Sequence, residues 1–205
     1  MSDFTYEVEN RVTPLENYEW DNVWWEQLNS GKGKRIVYIG DSISCGTRRI
    51  ATNVSNGKYL FDGFGTSKAV DNPYFEASLS LFFAQEKEYS AVIFNNGLHG
   101  WHLTEEEYGI HYKRLVMFLK KKVNVPLILL LSTDDLIHPG ANDRIIERNR
   151  IVKAIADELS LPVIDLYEVA MKHNDLHTQD KIHFTTEGYT RLAEKIVSFL
   201  EESTI

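Results

Sequence analysis

At 205 residues the chain has the size of one compact domain, and a content of 43% apolar and 12% aromatic residues is enough for a substantial core. A formal net charge of -8 opposes non-specific attraction to nucleic-acid phosphates or anionic lipid, so neither nucleic acid nor membrane is an expected partner. The single cysteine, Cys45, excludes an intramolecular disulfide, and no apolar run approaches the length of a transmembrane helix.

In chain order, Met1 to Asn10 is polar and acidic and lacks the basic and then apolar pattern of a secretion signal. A cytoplasmic protein is the expectation, unless a leader has been removed. Residues 1–34 read as an N-terminal extension that packs on a domain formed by residues 35–205. Within the extension Trp20, Trp24 and Trp25 predict a short packing helix, with a place at the border of a ligand cleft as the alternative. Gly31-Lys32-Gly33-Lys34 precedes the first strand instead of following it, so it lacks the placing of a phosphate-binding loop.

From residue 35 onward short β-rich apolar runs alternate with longer segments of helical period, the pattern of an α/β domain with a parallel sheet. Strands are predicted at Arg35–Ile39, Lys58–Phe61, Ala91–Asn95, Pro126–Ser132 and Pro162–Leu166. Helices are predicted over Pro73–Glu86, Thr104–Lys122, Asn142–Ser160 and Thr186–Glu201. In the third helix Ile145, Val152, Ile155 and Leu159 recur at helical spacing, and in the fourth Tyr189, Leu192, Ile196 and Leu200 do. Lys120-Lys121-Lys122 closes the second helix, where positive charge favours the helix dipole. The expected architecture is a single-domain, three-layer α/β/α sandwich around a five-stranded parallel sheet, in which ligands bind beyond the carboxyl ends of the strands.

Two stretches at such ends carry chemistry. Gly40-Asp41-Ser42-Ile43-Ser44 follows the first predicted strand, where glycine permits a sharp turn and the serine begins a helix or helical turn. A nucleophile there has its own backbone N–H and the positive dipole end available for an oxyanion. The plainer alternative is that Asp41 or Ser42 only caps a helix. Near the other end of the chain, Asp180-Lys181-Ile182-His183 precedes a helix start with Thr185 as N-cap and Phe184 and Tyr189 as a hydrophobic staple. A carboxylate three residues before a histidine can accept one ring N–H, leaving the other nitrogen to take a proton from a serine. Together the two stretches make a complete acyl-transfer set.

Gly40-Asp41-Ser42-Ile43-Ser44 resembles the first sequence block of the SGNH/GDSL hydrolases, and Asp180-Lys181-Ile182-His183 resembles their Asp-x-x-His block. The resemblance runs from residue 35 to 200 and implies a flavodoxin-like fold, a serine esterase acting on a small-molecule ester, Ser42 as nucleophile, and Asp180 and His183 as the pair that activates it. It implies no cofactor. The middle blocks, which supply the remaining oxyanion donors, match less closely. Where the family has Gly-x-Asn-Asp, this chain has Asn95-Asn96-Gly97-Leu98-His99-Gly100, so alignment on Gly97 puts His99 in the place of asparagine, with Asn96 as the alternative. For the second-block backbone donor the count from the strand reaches Ser67, and a two-residue shift reaches Gly65. An acyltransferase using the same three residues, or a non-catalytic binding domain on the same fold, are the alternatives to hydrolysis.

The other polar residues carry less. Cys45 has no second histidine motif matched to it, and His102, His111, His138, His173 and His177 show no metal-ligand spacing, so no metal is expected.

Overall fold

The structure, a computed structural model, describes residues 14–15, 18–29, 31–85 and 87–205. The first ten residues and Glu86, at the end of a predicted helix, lie outside them. Among the described residues six strands form one sheet: β1 (Asp21–Trp24), β2 (Lys34–Gly40), β3 (Tyr59–Thr66), β4 (Ala91–Phe94), β5 (Leu127–Leu131) and β6 (Val163–Asp165). They lie in the order β1-β3-β2-β4-β5-β6, and every neighbouring pair is parallel except β1 with β3. The five predicted strands are therefore the parallel ones, and a sixth, antiparallel strand is added at one edge.

Period-2 alternation sends successive strand side chains into two cores. Ile36, Tyr38, Phe61, Ile93, Ile128 and Leu130 face one side, where Leu192, Ile196 and Leu200 of α6 (Thr186–Glu202) and Ala51 of α1 (Ser42–Val54) cover them. Val37, Ile39, Val92, Phe94, Leu129 and Leu131 face the other. That side is covered by α2 (Phe75–Phe83), α3 (Glu105–Lys122) and α4 (Ala141–Leu159). Both faces are apolar because both are covered, which is why β4 and β5 read as continuous apolar runs.

Three elements depart from the sequence expectation. The segment around Trp20, Trp24 and Trp25 is no helix: Asp21–Trp24 pairs with β3, from Asp21 opposite Thr66 to Trp24 opposite Gly63. This strand is created by a partner some 40 positions away, so a local window carries little of its signal. Second, β3 does not stop at Phe61 but continues through Asp62, Gly63 and Gly65. Arg35 donates to both carboxylate oxygens of the buried Asp62, at 2.8 and 2.9 Å, which makes the charge tolerable inside the sheet. The glycines are needed because α1 lies across them: a Cβ on Gly63 would strike the Arg48 guanidinium, and one on Gly65 the Cys45 thiol. Third, the fifth predicted strand ends at Asp165, whose carboxylate caps the short helix α5 (Leu166–Lys172) by accepting the Glu168 N–H at 2.8 Å.

One contact sets the geometry of the site. Gly46 of α1 packs directly against the ring of Tyr189 in α6, and any Cβ there would overlap the ring. The two helices that begin at Ser42 and just after His183 are thereby in close contact. Among the described residues no helix is long and apolar enough to cross a membrane.

Candidate active site

Ser42 is the first residue of α1, at the carboxyl end of β2. Asp41, in an extended conformation, caps the helix by accepting the Ile43 N–H at 2.9 Å. Capping is thus the work of Asp41, which leaves the Ser42 hydroxyl for another partner. That partner is His183: its Nε2 lies 2.7 Å from Ser42 Oγ, across 141 positions of sequence.

The loop that presents His183 is closed at its base by an antiparallel bridge between His177 and Phe184. Within it the Thr178 N–H donates to the His183 carbonyl at 2.8 Å, and Lys181 takes a left-handed φ of 56° that lets the chain fold back on itself. Thr185 caps α6, and Phe184 meets Tyr189 edge-on with ring centroids 5.7 Å apart, the staple expected from the sequence. Asp180 Oδ2 lies 2.7 Å from His183 Nδ1. Its Oδ1 accepts from the His183 N–H at 2.9 Å, the Ile182 N–H at 3.0 Å and the Thr178 hydroxyl at 2.7 Å.

These donors decide the electrostatics. Partial burial pushes the Asp180 pKa up, but the hydrogen bonds from the His183 ring, the two backbone N–H groups and Thr178 outweigh it and hold the carboxyl well below the usual range. An ionised carboxylate only accepts, so Nδ1 of His183 carries the ring proton and Nε2 is left to accept the Ser42 O–H. The line Asp180–His183–Ser42 is therefore polarised in the direction that withdraws a proton from the serine. At the fully buried Asp41, burial raises the carboxyl pKa, partly offset by the nearby His99 and His183 rings and the Ile43 N–H.

The residues read as oxyanion donors separate. The Ser67 N–H donates to the Trp20 carbonyl at 3.2 Å and its hydroxyl accepts the Trp20 N–H at 2.9 Å, so Ser67 is a tie to the segment before β1 instead of a donor to the cleft. Gly65 lies within β3 between β1 and β2, packed under Cys45. The Asn96 side chain is fully buried and its amide donates to the Lys68 carbonyl at 2.8 Å, which ties together the loops after β3 and β4. His99 is the one of the four that remains half-buried, next to Asp41 electrostatically. Cys45 is held as a thiol by burial, which pushes its pKa up.

Two supporting features escaped the sequence reading. Arg148 of α4 is fully buried and donates to the carbonyls of Gly97, His99 and Gly100. Its position follows from the same helical spacing as Ile145 and Val152, three after one and four before the other, so a charged residue on an apolar face was the available signal. His177 stands at the base of the Asp180 loop with Nε2 3.1 Å from the fully buried Asp134 and its Nδ1 donating to the Asn174 carbonyl at 2.9 Å. The Leu136 N–H also donates to the Lys181 carbonyl, at 3.2 Å, so the segment after β5 supports the loop from beneath. His102 and His138 pair with Asp71 and Asp135, at 2.7 and 2.8 Å.

No protein-family model and no curated protein sequence matches the chain. Solved structures do match in fold. A lipolytic protein of the G-D-S-L family from Veillonella parvula is similar with a TM-score of 0.69 at 17% identity, over 82% of this chain and 99% of that one. A carbohydrate acetylesterase from Sinorhizobium meliloti gives 0.67 at 15% identity, over 83% and 99%. An aryl esterase of M. smegmatis gives 0.67 at 15% identity over the same shares. The chain has the fold of the SGNH/GDSL hydrolases, the group that its Gly-Asp-Ser-Ile-Ser and Asp-x-x-His stretches resemble.

Proposed function

We propose that the protein is a serine ester hydrolase that removes a small acyl group through an acyl-enzyme on Ser42. The observation that carries this reading is the unbroken line of two 2.7 Å hydrogen bonds from Asp180 through His183 to Ser42, at the carboxyl end of β2. In the first half of the reaction Ser42 Oγ bonds to the ester carbonyl carbon while its proton passes to His183 Nε2. The imidazolium is stabilised by Asp180. The carbonyl oxygen, now negative, accepts from the Ser42 N–H, an orphan donor at a helix start, and from an N–H of the His99 ring. Collapse expels the alcohol, which takes the proton from His183. Water then enters, gives its proton to His183 and repeats the sequence to release the acid and free Ser42.

An acetyl-sized acyl group on a carbohydrate is the substrate class proposed. Solved structures of the same fold include one named an acetyl xylan esterase and one named a carbohydrate acetylesterase. The test is a panel of acyl esters, from acetyl upward and including acetylated sugars, assayed with the wild type and Ser42→Ala in parallel. The proposal expects turnover that falls with acyl length and is lost in Ser42→Ala. Equal turnover by both proteins would sink it.

A further inference from the structure

Arg148 lies wholly inside the protein, yet its guanidinium sits against three backbone carbonyls of one loop. Nη1 is 2.9 Å from the Gly97 oxygen and 2.7 Å from that of His99, and Nη2 is 2.8 Å from that of Gly100. Nε lies 3.4 Å from Glu105 Oε1, and the guanidinium carbon stands 4.4 Å from the Trp101 ring centroid and 4.6 Å from that of Tyr108. Taking a cation out of water costs several kcal/mol unless it is surrounded by acceptors, and here carbonyls, a carboxylate and two aromatic faces surround it. A lysine ammonium has neither the planar fork nor the flat face for such a site.

The arrangement fixes the backbone on both sides of His99. A trans peptide points its N–H opposite to its C=O, so the carbonyls drawn to Arg148 turn the N–H groups of Leu98, Gly100 and Trp101 away from it. Gly100 completes the turn with a φ of 76°, a conformation open to glycine. His99 is thus held between two captured carbonyls, that of Gly97 and its own, on the loop that follows β4, at the same carboxyl edge of the sheet as Ser42 after the neighbouring parallel strand β2.

We propose that Arg148 is the positioning residue of the oxyanion site: from α4 it holds the loop that aims the His99 imidazole at the acyl oxygen on Ser42. The inference rests on the reading of His99 as an oxyanion donor given above. Arg148 touches no substrate, so its effect passes through His99.

The experiment is a double-mutant cycle of Arg148→Lys and His99→Ala, read as kcat and KM on an acetyl ester, with thermal melting to establish that each variant is folded. If Arg148 acts through His99, Arg148→Lys lowers kcat by about 10- to 100-fold with KM within about threefold, and the same change in the His99→Ala background costs about twofold or less. A structural role alone would give the same fold-loss in both backgrounds, and that result overturns the inference. So does a kcat for Arg148→Lys within about twofold of wild type while His99→Ala is impaired. If His99→Ala itself keeps the wild-type kcat, the oxyanion reading fails first and this inference with it. Should Arg148→Lys not fold, Arg148→Gln keeps two amide N–H donors without the charge or the guanidinium fork, and the same comparison of its kcat loss with and without His99 decides the matter.

Discussion

Replacing Asp180 by asparagine separates two things that the carboxylate does for His183. It supplies charge next to the imidazolium, and it fixes which ring nitrogen carries the proton. The carboxylate is half exposed, with 50% of the side chain open to solvent, so water screens the charge. At about 4 Å in water-like surroundings a charge pair is worth about 1 kcal/mol, equivalent to about fivefold in rate. The tautomer is the larger matter. An asparagine amide turned towards Nδ1 presents an N–H, which drives the ring proton to Nε2, and a protonated Nε2 cannot accept from Ser42. In the best-known triad of this kind the same change costs about 10⁴ in kcat. With Asp180 more exposed, and with its Oδ1 bonds available to an amide oxygen, the expected loss is about 10² to 10⁴. The assay is steady-state hydrolysis of a chromogenic acetyl ester by wild type, Asp180→Asn and His183→Ala. A loss near fivefold would reduce Asp180 to a screened charge. Unchanged rates in both variants would remove the pair from the mechanism.

Other expectations follow from particular contacts. His99→Ala is expected to lower kcat by about 10² to 10³ with little change in KM, and His99→Asn to recover part of it; an Asn variant no better than Ala would speak against a donor role at this position. Gly46→Ala drives a methyl into the Tyr189 ring and is expected to cost about 1 to 3 kcal/mol in denaturant unfolding, most of it recovered by adding Tyr189→Leu. A Gly46→Ala protein of wild-type stability would mean that α1 and α6 are not in this contact. Arg35→Met leaves the Asp62 carboxylate buried and unpaired at a cost of about 3 to 5 kcal/mol, whereas Arg35→Met with Asp62→Leu restores most of the stability; equal losses in the single and double variants would contradict the pairing.

Much of this arrangement could be read from local sequence. The five parallel strands are apolar runs and α2, α3, α4 and α6 carry a helical period, and both stretches bearing Ser42, Asp180 and His183 stand where a strand or loop meets a helix. What escaped reading depends on distant partners. Asp21–Trp24 becomes a strand only through β3, and Asp62-Gly63-Phe64-Gly65 stays in a strand only because Arg35 neutralises the aspartate and α1 lies over the glycines. The count that reaches Ser67 starts from a predicted strand ending at Phe61, whereas β3 continues to Thr66 and Ser67 is tied to Trp20. Arg148 is legible as a cation on the apolar face of α4, between Ile145 and Val152. What the helical period does not carry is the loop that it holds.

A serine-reactive phosphonate distinguishes a nucleophilic Ser42 activated by His183 from an inert helix-start serine. Intact-mass and peptide measurements after exposure to the reagent should show one adduct, on the peptide containing Ser42, in the wild type. Labelling should be much slower in His183→Ala and absent in Ser42→Ala. An adduct formed equally well by Ser42→Ala, or an unmodified Ser42 in a protein that hydrolyses esters, would rule out Ser42 as the nucleophile.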